Sequence, residues 1–127
     1  MIYVKETNGP VADVVERLEK ACGENAFGVL GIHNLKEKMG AKGVDFACEC
    51  RVMEVCNPHK AKEVLEENMS ISTALPCRIS VYEEDSKVKV ATIRPTMLLN
   101  LFDSPELQAV AREVEDTLVR IIDTACA

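Results

Sequence analysis

The sequence predicts an α+β fold: two layers, with a mainly antiparallel sheet carrying helices on one face. Three observations point there. Short β-prone runs and amphipathic runs follow one another in the order β-α-β-β-α-β-β-α. Residues 77–93 read as a hairpin, which requires antiparallel pairing. Each long helical run carries a single apolar stripe and so has one surface to cover, as a sheet wet on its other side provides. With 127 residues, 47% of them apolar, and no repeat, linker or low-complexity tract, residues 1–127 form one domain.

Ile2 to Glu6 is a short strand, closed by Asn8-Gly9-Pro10. Pro10 suits the first position of a helix because its missing N–H costs nothing there. Val11, Val14, Val15, Leu18 and Cys22 then recur at helical spacing, and Gly23 is expected to supply a left-handed C-cap. Ala26 to Ile32 reads as a mostly buried strand, with Gly28 and Gly31 marking close packing or a bulge. Asn34 to Glu37 has the pattern of a capping box, opening a helix of one or two turns that Gly40 ends. A long strand is expected from Val44 to Val55. Its apolar, thiol-bearing face would be Phe46, Cys48, Cys50 and Val52, with a bulge able to exchange the faces. Asn57-Pro58 caps the next helix, whose apolar face is Ala61, Val64, Leu65 and Met69. After the turn-rich stretch Ser70 to Leu75, Cys77 to Tyr82 and Lys87 to Ile93 make the hairpin around the acidic tip Glu83-Glu84-Asp85-Ser86, and Arg94-Pro95 ends it. Ser104-Pro105-Glu106 opens the longest helix, with a continuous stripe from Leu107 to Ala125.

Composition narrows the function classes. Fifteen basic against 21 acidic residues give a net charge of −6, which argues against a duplex nucleic-acid partner, since such a partner must be met with cations. No Trp, two Tyr and three Phe leave little stacking surface for single strands. The polar Lys5-Glu6 follows so soon after Met1 that no signal-peptide core fits, and no apolar run is of membrane-spanning length, so no membrane partner is expected. Six cysteines are about 5% of the chain, below the roughly 8–10% of secreted disulfide scaffolds. A cytoplasmic protein with free thiols is expected.

Cys56-Asn57-Pro58 with Ala61, Leu75-Pro76-Cys77 leading into Val81-Tyr82-Glu83, and the helix from Ala111 to Ile122 together resemble the family called domain of unknown function 302. The resemblance spans nearly the whole chain. It implies a compact α+β fold near the TATA-box-binding-protein-like folds, a homodimer, and no assigned reaction. The likeness to a DNA-binding fold implies nothing about DNA, because function resides in sites. The sequence departs from the family in Arg78, where Asn is frequent, and adds Cys48 and Cys50.

Cys56 and Cys77 are the candidate thiol site on their own chemistry, with His59 and Arg78 as charge partners. Cys56 immediately precedes a helix N-terminus, whose free amides and dipole would favour a thiolate, and His59 lies one turn on. Cys77 opens the following strand, so the two can meet at one sheet edge, for redox exchange or soft-metal binding. The alternative is that both simply pack, as buried cysteines commonly do. Cys48 and Cys50, two residues apart on a strand, have Cα atoms about 6.7 Å apart and parallel side chains, poor geometry for a disulfide. Their spacing to Cys56 and Cys77 matches no zinc pattern, so no metal is assigned and the cofactor is unknown. Cys22, on the apolar stripe of the first helix, and Cys126, beside the terminus, have no histidine nearby in sequence and read as packing residues; His33 reads as a hydrogen-bonded structural residue, and Glu83-Glu84-Asp85 reads as a solvated tip. Gly28-Val29-Leu30-Gly31 lacks the spacing of a phosphate loop. Met97, Leu98, Leu101 and Phe102, within a run of five apolar residues in six, are a candidate homodimer interface or the edge of a small-ligand pocket; the alternative is a lid on the protein's own core. A binding or accessory protein is favoured over an enzyme.

Overall fold

A computed structural model describes all residues, 1–127. The strands are β1 (Ile2–Thr7), β2 (Gly28–Asn34), β3 (Cys50–Cys56), β4 (Cys77–Glu84) and β5 (Lys87–Ile93); the helices are α1 (Val11–Glu24), α2 (Leu35–Gly40), α3 (Pro58–Glu67), α4 (Pro95–Leu99) and α5 (Pro105–Cys126), with a 3₁₀ segment at Met69–Ala74. The five strands form one sheet in the order β1-β5-β4-β3-β2, with every neighbouring pair antiparallel. This is the α+β architecture that the alternation of stripes and hairpin predicts. No helix is long and apolar enough to cross a membrane.

The main core lies between one sheet face and two helices. α1 brings Val11, Val14, Val15, Leu18 and Cys22, the residues its 3.6-residue period selects, and the C-terminal half of α5 brings Leu118, Ile121, Ile122 and Ala125. Met53, Val55, Ile79, Val81, Val88 and Val90 meet them from the sheet. On the opposite face the sheet shows Ile2, Val4 and Ile93 to solvent. A second, smaller cluster of Val64, Ile71, Leu99, Leu107 and Ala111 joins α3, the 3₁₀ segment, α4 and the N-terminal half of α5. At about 1.5 Å per residue, the 22 residues of α5 are long enough to serve both clusters.

Several local expectations are corrected. The chain from Ala41 to Glu49 is not strand: Val44 and Phe46 are 53% and 43% exposed, Cys48 is exposed, and β3 begins only at Cys50. The core face of β3 is that of Met53 and Val55, the opposite parity to Cys50 and Val52, because the strand's alternation starts after the loop and the thiol-bearing set is turned away. In the edge strand β2, Leu30 and Ile32 are exposed, while the preceding Phe27 enters the core and the partly buried Val29 packs against it; the expected bulge falls between Val29 and Gly31. Gly23 is helical, and the left-handed residue after α1 is Ala26 (φ 61°), with Phe27 N–H donating to Cys22 O at 3.0 Å. Pro10 stands just before α1 as its cap residue. Met69 is 70% exposed, since α3 ends at Glu67 and the chain has already turned. The hairpin tip is two residues long: Asp85 and Ser86 both adopt positive φ (54° and 62°), the tight turn whose twist matches the strands.

Candidate functional site

A cavity of about 40 Å³ opens at the junction of the two clusters, where the ends of β3 and β4 meet α3, α4 and α5. A buried water needs roughly 10–15 Å³ on this measure, so the space suits a group of a few heavy atoms. It exists because the elements over this end are short. The 10 residues of α3 and the 5 of α4 cannot cover the strand ends as completely as α1 and α5 cover the sheet.

Local sequence explains each wall. Asn57 Oδ1 accepts from the His59 and Lys60 amides at 3.1 and 3.3 Å, which starts α3 and turns Lys60, Ala61 and Val64 toward the cavity. Pro95 starts α4 in the same way. α4 is tied to α5 through Glu115, whose Oε1 accepts from Thr96 N–H at 3.2 Å and Thr96 Oγ1 at 2.7 Å, with Arg94 3.4 Å from Oε2. Burial opposes the charge on Glu115, but the two bonds from Thr96 and the Arg94 guanidinium hold its pKa below the ordinary carboxylate value. Thus anchored, α4 contributes Leu98 and Leu99, and α5 contributes Val110, Ala111 and Val114. Lys60 is the one charged residue in the lining, and its ammonium pairs with Glu113 of α5.

Of the residues singled out from sequence, Cys56 and Cys77 both line this cavity. Cys77 stands directly opposite Val55 in the β3–β4 ladder, one residue from Cys56. Burial pushes the Cys56 thiol upward, and it pushes Cys77 from 9.0 to about 11, with the charge of Cys56 adding to the rise and Arg78 opposing it. Desolvation therefore favours the neutral thiol over the thiolate at both positions. His59 is exposed and engages the site only through its backbone amide. Arg78 is on the β4 parity opposite to the buried Ile79, exposed, 3.8 Å from Glu54. The two charge partners are thus not gathered into the cavity.

The other candidates also find places. Cys22 is fully buried in the main core and pushed to about 11 by desolvation, while Cys126 is half-buried. His33 Nε2 lies 2.7 Å from Glu54 Oε1, and Lys38 Nζ 2.7 Å from Nδ1; since an ammonium only donates, Nδ1 accepts and Nε2–H donates to Glu54. The hydrogen bond from His33 lowers the Glu54 pKa. No group of three or more His, Cys, Asp or Glu is placed to hold a metal ion. The apolar run after Pro95 divides: Leu98 lines the cavity and Phe102 packs on the second cluster, whereas Met97 and Leu101 are 40% and 80% exposed.

The chain matches the family described as "Domain of unknown function DUF302" over residues 3–125. It belongs to that family. A solved structure described as "Crystal structure of uncharacterized conserved protein DUF302 from Bacillus stearothermophilus" is similar to it at 34% identity, with a TM-score of 0.94, covering 99% of this chain and 98% of that one. A search of curated proteins found no match. DUF302 membership accounts for the resemblance carried by the Cys56-Asn57-Pro58 and Leu75-Pro76-Cys77 segments, and these are two of the segments that build the cavity.

Sequence reasoning missed Lys60 and the α5 wall residues as parts of a site. Lys60 reads as one more polar residue on an amphipathic helix. Val110 and Val114 read as ordinary stripe residues; the available signal was that the α5 stripe is longer than one sheet face requires.

Proposed function

We propose that this DUF302 protein is a homodimeric ligand-binding or accessory protein of the cytoplasm, and that its ligand is a small, mainly apolar molecule held in the cavity. The single observation that carries this reading is a cavity with apolar and thiol walls, interrupted only by Asn57 and Lys60, at the junction of two otherwise closed clusters. Such a concave site with few polar groups is the usual form of a small-molecule site. The half of the post-Pro95 run that remains outside, Met97 and Leu101, offers apolar surface to a second copy beside the α4 wall. The reading needs neither nucleic acid nor a membrane as partner.

Titration of ¹⁵N-labelled protein with dissolved xenon, a probe small enough for the cavity, tests it. Saturable shifts confined to amides around Phe27, Val64, Leu75, Leu99 and Val114, lost in Val110→Phe, support the reading. Absence of such shifts at millimolar ligand sinks it. Native mass spectrometry tests the dimer separately, and a monomer at micromolar concentration removes it.

A second reading, soft-metal or thiol redox chemistry at Cys56 and Cys77, is favoured by one fact: both line the same cavity. A monovalent soft cation would be held by two thiolates after release of two protons. Retention of copper(I) by the native protein but not by the Cys56→Ser, Cys77→Ser variant supports it, and equal retention by both argues against it.

A further inference from the structure

We propose that Cys56 and Cys77 act together to reduce small uncharged organic disulfides, Cys56 being the thiol that attacks and Cys77 the thiol that resolves. This rests on the second reading above, thiol chemistry at these two residues, and assigns their roles and the substrate class. The two thiols differ in access. Cys77 lines the cavity alone and packs against the main core. Cys56 lines the cavity and also an open groove along α3, walled by Pro58, Ala61, Leu65 and Met69. A molecule arriving along the groove therefore meets Cys56 first. In the β3–β4 ladder Cys77 stands opposite Val55, the residue before Cys56. A strand spacing of about 4.8 Å and a rise of about 3.4 Å put the two Cα atoms about 6 Å apart, within the roughly 4.4–6.8 Å that a disulfide spans. β3 ends at Cys56, where the chain turns into the Asn57 cap, and both cysteines line the same cavity.

The Cys56 thiolate, its proton released to solvent, attacks one sulfur of the substrate R–S–S–R; the new bond is to Cys56 Sγ, and RS⁻ leaves and takes up a proton. The Cys77 thiolate, likewise deprotonated, then attacks Cys56 Sγ, which closes the Cys56–Cys77 disulfide and expels the second RS⁻, protonated in its turn. Two protein S–H groups become one S–S bond, the substrate's S–S bond becomes two S–H groups, and two electrons pass from protein to substrate. The direction follows from the surroundings. A strongly oxidising disulfide is one whose reduced form is stabilised, as by a low thiol pKa. Burial raises both thiols here and withholds that stabilisation, so the pair is an electron donor. The groove sets the substrate class. Its two charged side chains, Lys62 and Glu66, engage each other at 2.8 Å, so a charged substrate finds no free partner there, while an alkyl body buries apolar surface.

The test adds diethyl disulfide at pH 9 to the native protein, to Cys77→Ala and to Cys56→Ala. The reaction is quenched in acid, and the peptide carrying each cysteine is weighed after digestion, which separates the pair from the exposed Cys48. The native protein should yield linked Cys56–Cys77 peptides. Cys77→Ala should stop at an ethylthio group on Cys56, and Cys56→Ala should leave Cys77 unmodified. Circular dichroism checks that both variants fold, and the native linkage needs no variant. Glutathione disulfide, an anion, should modify Cys56 several-fold more slowly, relative to Cys48, than diethyl disulfide does. Equal relative rates overturn the substrate class. An ethylthio group on Cys77 in Cys56→Ala, gained as fast as the native protein loses that thiol, overturns the roles; either result leaves thiol chemistry at the pair intact. If Cys48 is modified while no Cys56–Cys77 linkage forms, the inference and the redox half of the second reading both fall.

Discussion

The two ends of this molecule are packed by different rules. At one end 17 buried residues close around the sheet beneath α1 and α5; at the other, 5 buried residues join four short or partial elements and leave a cavity. Long helices with regular stripes can match a sheet face residue for residue. Short helices set by their caps, Asn57 for α3 and Pro95 for α4, arrive at angles fixed locally, and their side chains do not interlock completely. The closed end supplies stability, and the open end leaves the cavity that the proposed ligand would occupy.

The largest expected effect lies in the closed end. Leu118→Ala, at a fully buried position, should cost about 3–5 kcal/mol by denaturant unfolding, whereas Leu99→Ala beside the cavity should cost about 2 kcal/mol and widen the space for larger apolar probes. Equal losses would erase the contrast. A sharper version reverses the sign: Val81→Ile overpacks the closed core at a cost of about 1–3 kcal/mol, while Val110→Ile fills part of the cavity and should gain up to about 0.8 kcal/mol.

Proton linkage separates the ends less strongly. Cys22 in the closed core and Cys77 at the cavity both rise from 9.0 to about 11, through desolvation. A raised folded pKa means that the unfolded chain loses its protons first, so the stabilisation is fully present below pH 9 and is lost as pH rises toward 11. Cys77→Ala should flatten part of that decline in a pH series of unfolding curves, and native alkylation of Cys77 should be slow at neutral pH and accelerate across the same window. A Cys56 that alkylates rapidly at pH 6 would show that the dipole of α3 prevails over burial.

The smallest effect concerns the tie between α4 and α5. Glu115→Gln retains an acceptor for Thr96 but loses the charge that Arg94 meets, and should cost about 1 kcal/mol. Because the folded pKa of Glu115 is lowered, its stabilisation is present above the unfolded carboxylate value and is lost as pH falls through the folded one. Melting temperatures of the two proteins should therefore converge in acid. If they stay apart, the charge of Glu115 is not what holds α4.

Much of this was legible in the order of residues. The stripes of α1 and α5, the 77–93 hairpin, the caps at Asn34 and Asn57 and the α+β class follow from 3.6- and 2-residue periods and from cap chemistry, all of which act between neighbours in the chain. The closeness of Cys56 and Cys77 at one sheet edge was legible too, because consecutive elements in an antiparallel sheet place one strand's end beside the next strand's start. What the residue order left open depended on distant partners. Which face of β3 is buried was decided by where α1 and α5 lie, which turned Met53 and Val55 inward and Cys50 and Val52 away. Desolvation among walls from six elements favours the neutral thiols, the reverse of what the position of Cys56 before a helix suggests in the sequence. Lys60 finds its ion-pair partner only because α5, some fifty residues on, crosses it with Glu113. Local periodicity determines which elements form, and packing between remote elements determines which of their side chains share a cavity.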